Sequence, residues 1–146
     1  MDGYPGDYEA VPPLEWAPTP QDPTPSPGEV VWAHVPYEED HTRGKDRPVL
    51  LIGRDGPWLL GLQLTSVDHD LDEAQEASAG RHWIDIGAGQ WDHRGRRSEV
   101  RVNRVIRIDP SAVRRDGAVL QEDLFVAVAT AVRAVAAGRA YDDDPV

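Results

Sequence analysis

The chain has no cysteine in 146 residues, one methionine, one phenylalanine and one lysine. Without cysteine there is no disulfide framework, no thiolate metal site and no cysteine nucleophile, so stability must come from packing. No uncharged apolar run approaches the roughly 18 residues that a membrane span requires, and the amino terminus lacks the basic-then-apolar pattern of a secretory signal. A soluble, cytoplasmic protein with no membrane partner is the expectation. In place of lysine the chain uses arginine: Lys45 stands against fourteen arginines, whose planar fork suits bidentate contact with phosphate. At this length, with 40% hydrophobic and 28% charged residues, one compact domain is expected.

The net charge of −11 is unevenly placed. Asp2, Asp7, Glu9, Glu15 and Asp22 fall in residues 1–27 with no base among them, and Asp142 to Asp144 add three more acids near the end. The remaining body carries 18 acids against 15 bases. Six of those bases, Arg94, Arg96, Arg97, Arg101, Arg104 and Arg107, lie within fourteen residues, so local sign matters more than the total. Eight of the thirteen prolines also lie in 1–27. That composition predicts a disordered, acidic, proline-rich arm. Residues 28–138 then form the folded domain, and 139–146 an acidic flexible tail.

From Gly28 the texture is that of a β protein. Glu29 to Val35 is rich in β-branched and aromatic residues and predicts a first strand, followed by a polar loop from Pro36 to Asp46. Arg47 to Arg54, with the continuous run Val49-Leu50-Leu51-Ile52, predicts a strand buried on both faces. Turn chemistry at Arg54-Asp55-Gly56-Pro57 and a returning strand, Trp58 to Ser66, complete a hairpin. An acidic loop with a helical turn is expected over 67–80, a short strand over His82 to Ile86, and a turn-rich connection to Arg97. Glu99 to Ile108 alternates, with a bulge or strand end at Arg104 and Val105. Leu124, Val128, Ala131, Val132 and Val135 recur at helical spacing, predicting a helix from Gln121 to about Gly138. The whole reads as a β-rich α+β domain, a twisted or barrel-like sheet with a helix packed on it.

The hairpin brings chemistry together. If Asp55 and Gly56 are the central turn residues, Arg47 faces Leu64, and one more loop residue makes it face Thr65. Opposed side chains on antiparallel strands lie roughly 4.5–5.5 Å apart at Cβ, so either register sets a guanidinium beside a hydroxyl, as a site or as a solvated edge pair. Arg101 and Asn103 share one phase of their strand and point to one open face. Trp32, Trp58 and Trp83 sit in strands and read as core, whereas Trp91 lies in a polar loop beside the arginines and is the candidate for stacking on a base. The acidic cluster Asp68, His69, Asp70, Asp72 and Glu73 imitates a calcium loop but lacks glycine at the sixth place and an acid at the twelfth. Gly87 and Gly89 complete no nucleotide-binding pattern. Neither a metal nor a cofactor is expected.

The ordered set PGEVVWAHV, GKDRPVLLIG, LLGLQLTS and EVRVNRVIRIDPSAV, closed by a helix, resembles the MazF/PemK toxins of bacterial toxin–antitoxin pairs over residues 28–137. The resemblance implies an SH3-like barrel with a C-terminal helix, usually a homodimer, acting as a metal-independent endoribonuclease on single-stranded RNA such as mRNA. It also implies growth inhibition and neutralisation by a cognate antitoxin. Arg47 and Thr65 would be catalytic, with Ser66 beside them on the substrate, and His41 matches a histidine found six residues before that arginine in one branch. The Arg-x-Asp of the same branch falls on Arg101 and position 103, where Asn103 replaces the carboxylate.

The chemistry of such a reaction can be written from the substrate. RNA supplies its own nucleophile, the 2′-OH, which DNA lacks, so DNA is not expected as a substrate. The protein then needs a proton acceptor, donors to the phosphoryl oxygens and a proton donor to the leaving 5′-oxygen. Arg47 is suited to clamp phosphate, Thr65 to donate a second hydrogen bond, and His41 to act as base or acid. Arg101 would add electrostatic stabilisation, while Asn103, Trp91, Arg97 and Arg104 would hold the strand. The expected products are a 2′,3′-cyclic phosphate and a 5′-OH. The alternatives are a non-catalytic barrel that binds RNA or protein, and an interaction module recruited through its arm.

Overall fold

The computed structural model describes residues 3–66 and 81–146. The expected helical turn over 67–80 and the cluster Asp68, His69, Asp70, Asp72 and Glu73 lie outside them. Six strands follow in chain order: β1 (Val30–Pro36), β2 (Gly44–Asp55), β3 (Trp58–Ser66), β4 (Trp83–Gly87), β5 (Ser98–Arg101) and β6 (Ile106–Ile108). One helix, α1 (Glu122–Ala136), closes the fold after a short 3-10 turn at Pro110–Ala112. The expected β-rich α+β architecture is present. The sheet is antiparallel in the order β1-β2-β3-β5-β4, with β6 also on β3, and it curves without closing.

β3 organises the sheet. One edge runs along β2, while the other is divided: Leu59 to Gly61 pair with β6, and Leu64 to Ser66 pair with β5. The alternating segment read as one strand over 99–108 is therefore two, broken at 102–105 where Arg104 and Val105 interrupt the period. The apolar run of β2 is buried on both faces, as its sequence predicts: Leu50 and Ile52 join the larger core under α1, Val49 and Leu51 a second cluster with Val31, Val35 and Ile106. α1 buries Phe125, Val128, Ala129, Ala131, Val132 and Ala134. Gly138, at φ 69°, ends it, and Arg139 N–H returns to Ala134 C=O at 2.7 Å, a left-handed glycine cap.

Two expectations about the first hairpins are corrected. The loop read as Pro36 to Asp46 is only Tyr37 to Arg43, because β1 and β2 stay paired out to Pro36 opposite Gly44. The loop is tied by Tyr37 N–H to Arg43 C=O at 2.8 Å and by Asp40, whose carboxylate accepts from Thr42 N–H and Oγ1. In the second hairpin Asp55 pairs with Trp58, so Gly56 and Pro57 are the central turn residues. A bulge at Ile52 then shifts the register, giving Leu51 opposite Gly61 and Val49 opposite Gln63. Continued along the strands, that register faces Arg47 with Thr65. Since one residue of slip turns every side chain to the other face, the bulge decides which β3 side chains accompany Arg47.

Residues 3–27, expected to be free, lie along the body. Leu14 is buried in the main core, Trp16 Nε1 donates to Leu120 C=O at 2.8 Å, and Tyr8 N–H donates to Val105 C=O at 2.9 Å. The base of the arm is fixed by Glu29, 1% exposed. Its carboxylate accepts from Ser26 N–H and Oγ and from Arg115 Nε and Nη2, at 2.7 to 3.1 Å. Composition missed this because the few anchors, Leu14 and Trp16, are diluted among prolines. The tail also docks: Asp85 N–H donates to Asp143 C=O at 2.8 Å and Tyr141 Oη to Trp83 C=O at 3.0 Å, covering the outer edge of β4. Among the described residues no helix is long and apolar enough to cross a membrane.

A Cβ built on Gly44 meets Val35 C=O at 2.3 Å and His34 Nε2 at 2.5 Å. Gly44→Ala is therefore expected to cost about 1–3 kcal/mol, the usual penalty of an overpacked site, and Glu29→Ala about 1–3 kcal/mol, by removing the buried acceptor of Ser26 and Arg115, whose guanidinium keeps the Asp22 and Thr19 carbonyls. Urea unfolding of each variant checks both, and midpoints equal to wild type would contradict the packing described.

Candidate functional site

The mouth of the β1–β2–β3 hairpins opens on a cleft of about 270 Å3. Its lining includes Arg47 from β2, Gln63 and Thr65 from β3, Glu99 and Arg101 from β5, and Arg104 from the break before β6. Four of the side chains singled out in the sequence thus meet: Arg47, Thr65, Arg101 and Arg104. Their convergence follows from the ladders. Gln63 and Thr65 share a face by the two-residue period, Arg47 approaches through the β2–β3 register, and Glu99 is the direct partner of Thr65 across β3–β5.

Among the described residues no hydrogen bond or ion pair engages the Arg47 guanidinium, which is half-buried. Burial, with the nearby Arg104 charge, pushes its pKa below the ordinary arginine value, against an opposing pull from Tyr37. The other two arginines are held. Arg101, with its side chain 5% exposed, donates from Nη2 to Glu38 Oε2 at 2.8 Å and from Nε to Asn103 Oδ1 at 3.0 Å. Arg104, at 3%, donates to both carboxylate oxygens of Asp7 at 2.8 and 3.2 Å and from Nη1 to Gln63 Oε1 at 3.0 Å. The open face expected for Arg101 and Asn103 is corrected by this burial. Asn103 lies instead under the arm, in a hollow shared with Tyr8, Val132 and Val135. Its oxygen also accepts from His82 N–H at 3.2 Å, so the amide orients Arg101.

Other candidates fall elsewhere. His41 lines a neighbouring hollow with Tyr4, His34 and Arg107, and its Nε2 lies 4.0 Å from Asp7 Oδ1. Ser66 continues β3 beyond Thr65 but is absent from the cleft lining. Arg97 is ion-paired to Asp85 and does not line the cleft either. Trp91 is 3% exposed, its Nε1 donating to Ser98 Oγ at 2.9 Å. Its ring lies where a Cβ on Gly89 would be, 2.2 Å from Cζ3, so Trp91 is a core residue and not a stacking platform. The aromatic side chains that line the cleft are Tyr37 and Trp83, both half-buried.

The cluster of bases over 94–107 is not a free positive surface. Arg96, Arg97, Arg101, Arg104 and Arg107 are paired with Asp92, Asp85, Glu38, Asp7 and Asp55 respectively. Glu38 reaches into the cleft to hold Arg101. Sequence reasoning also missed Gln63, Glu99, Arg81 and Trp83. Gln63 was detectable, as a polar residue two places before Thr65 inside an apolar strand. Glu99 had no local signal, because its place beside Thr65 arises from pairing between strands far apart in the chain. Among the described residues no cluster of three or more histidines and acids is arranged to hold a metal.

The lone cationic clamp, the hydroxyl beside it and the fold that joins them carry the residue set GKDRPV and LQLTS on β2 and β3. The family profile of PemK-like, MazF-like toxins of type II toxin–antitoxin systems matches residues 26–136. No curated protein and no solved structure matches the chain. The profile covers most of the chain and every strand and helix described above, and the chain belongs to the PemK-like, MazF-like toxins of type II toxin–antitoxin systems.

Proposed function

We propose that the cleft cleaves single-stranded RNA without a metal. The observation that carries this reading is the convergence of Arg47, Thr65 and Glu99 in one cleft, which offers a phosphate clamp, a hydroxyl donor and a carboxylate. In the step proposed, the 2′-oxygen attacks the adjacent phosphorus, its proton passes to the acceptor, and the bond from phosphorus to the 5′-oxygen breaks. The leaving oxygen takes up a proton, so the ends are a 2′,3′-cyclic phosphate and a 5′-OH. Arg47 donates two hydrogen bonds to the phosphoryl oxygens as negative charge grows there, and Thr65 a third. Glu99 serves as the acceptor, a part the position of Asn103 cannot take because an amide binds no proton at neutral pH. His41 belongs to the approach to the cleft rather than to the reacting atoms.

Membership of the family implies an antitoxin partner, and a homodimer is part of the same proposal. A second reading, a barrel that binds RNA without cutting it, is favoured by the Glu38–Arg101 pair, which neutralises one of the four arginines that line the cleft.

The two readings separate on a long, unstructured RNA incubated in EDTA with product ends mapped. Arg47→Ala is expected to lose roughly 10²–10³-fold in cleavage rate, the scale of one oxyanion donor, and Glu99→Gln roughly 10²–10⁴-fold, the scale of a general base. Both variants should keep the thermal midpoint of the wild type. A 2′-deoxy substitution at the scissile ribose should abolish cleavage, and cutting that survives it would sink the mechanism. Trp91→Phe is expected to leave the cleavage pattern unchanged and to lower stability by about 1 kcal/mol, through loss of one buried hydrogen bond. A changed cleavage motif in that variant would return the residue to the site.

A further inference from the structure

The segment Tyr4 to Tyr8 lies on the residues that flank the cleft. Asp7 sets its carboxylate against both Arg104, itself a cleft residue, and the His41 side of the hollow beside it. Tyr4 donates from Oη to Asp7 Oδ1 at 2.5 Å and meets the His41 ring edge-on, with centroids 5.0 Å apart. Tyr8 lies under the Arg107 guanidinium, 5.5 Å from its ring centroid. Arg107 Nη1 also donates to Gly6 and Asp7 C=O at 2.8 and 3.1 Å. The result is an anion on Arg104 with an aromatic residue on each side of it in the chain, one packed on His41 and the other under Arg107, a sequence of groups like that of a phosphodiester between two bases.

The contact is adapted to a charged group. Burial pushes the Asp7 carboxyl up, yet its hydrogen bonds with Arg104 and Tyr4 outweigh that and hold it below the ordinary aspartate value. Burial and the same hydrogen bond push the Tyr4 hydroxyl well up, keeping it a donor at neutral pH. Arg104 is almost fully buried, so its charge requires an anion, and Asp7 is the carboxylate that meets it. The attachment is nonetheless shallow: among the described residues the backbone of Tyr4 to Tyr8 is bonded to the body only at Tyr8 and through the Arg107 side chain, and Gly3 and Pro5 are exposed.

We infer that Tyr4 to Tyr8 is a built-in competitor of the RNA strand, occupying an Arg104–Arg107 subsite for one phosphate and its neighbouring bases and leaving it when the strand enters. This rests on the nuclease reading of the same cleft. Affinity is then reduced by the fraction of molecules in which the segment is released, and weakening its anchor raises affinity without a new contact to the strand.

The probe is a short fluorescein-labelled single strand made entirely of deoxynucleotides, which the proposed mechanism does not cleave, titrated into the full chain by anisotropy. Asp7→Asn and Tyr8→Pro, the second removing the N–H bonded to Val105 while sparing the Arg104 pair, are each expected to bind it about tenfold more tightly. In the wild type a saturating strand should speed hydrogen exchange at Tyr8 N–H. Equal or weaker binding by the folded variants overturns the inference, as does a bound strand that leaves Tyr8 exchange unchanged. If Asp7→Asn fails to fold, Tyr8→Pro and the exchange measurement decide alone. No cleavage of RNA in EDTA, with tighter binding by the variants, defeats the nuclease reading only. Normal cleavage with unchanged binding defeats the competitor only.

Discussion

The buried guanidinium of Arg104 is the constraint from which the rest of the cleft follows. β3 is covered by β6 along Leu59 to Gly61 and by β5 along Leu64 to Ser66, so its second edge is bare at Leu62 and Gln63. The chain crosses that gap at 102–105, and Arg104 fills it, bonded to Gln63 on one side and Asp7 on the other. A charge so far from water is tolerated only with an anion and an acceptor in place. That requirement ties the amino-terminal arm, through Asp7, to a residue that lines the cleft.

The same logic explains how a chain of net charge −11 can carry a cleft lined with arginines. Several acids are docked on the bases: Glu38 on Arg101, Asp7 on Arg104, Asp55 on Arg107 and Glu29 on Arg115. Most of these pairs are intramolecular neutralisation at the cost of desolvation, and they add specificity of placement more than net stability. Among the described residues Arg47 has no hydrogen-bond or ion-pair partner for its guanidinium, while Arg101 and Arg104 beside it in the cleft are neutralised. A cation left alone in a half-buried cleft keeps a strong local field even where the total charge is negative. Phosphate is the ligand whose charge and geometry suit it.

In the proposed reaction proton transfer falls to a different residue than residue type alone suggests. Histidine has the pKa nearest neutrality, which made His41 the natural base, yet its hollow is shared with Tyr4 and Arg107 while the cleft holds a carboxylate on Glu99. In the proposed reaction the acid missing at position 103 is replaced by Glu99, from the neighbouring pair of strands. Asn103, by accepting from both Arg101 and His82, keeps the geometric task of that position without its charge.

Short-range pattern was enough to read the strands from Val30 to Ser66, the two-faced burial of Val49 to Ile52, the break near Arg104 and the helix ending before Gly138. Each depends on periodicity, turn residues or a cap within a few positions. The meeting of Arg47 with Thr65 was legible for the same reason, since a hairpin fixes its own register locally. What lay beyond reach were contacts between residues distant in sequence: Glu99 opposite Thr65, Trp91 turned into the core beside Gly89, Asp7 on Arg104, and Leu14 and Trp16 anchoring a segment whose composition is that of a free arm. Composition averages over a segment, whereas docking needs only one or two side chains with a cavity to enter. The sequence by itself determined which strands form and which cation and hydroxyl share a hairpin; the tertiary structure alone decided which carboxylate joins them and which arginines are already occupied, because those depend on strand order and burial, not on spacing along the chain.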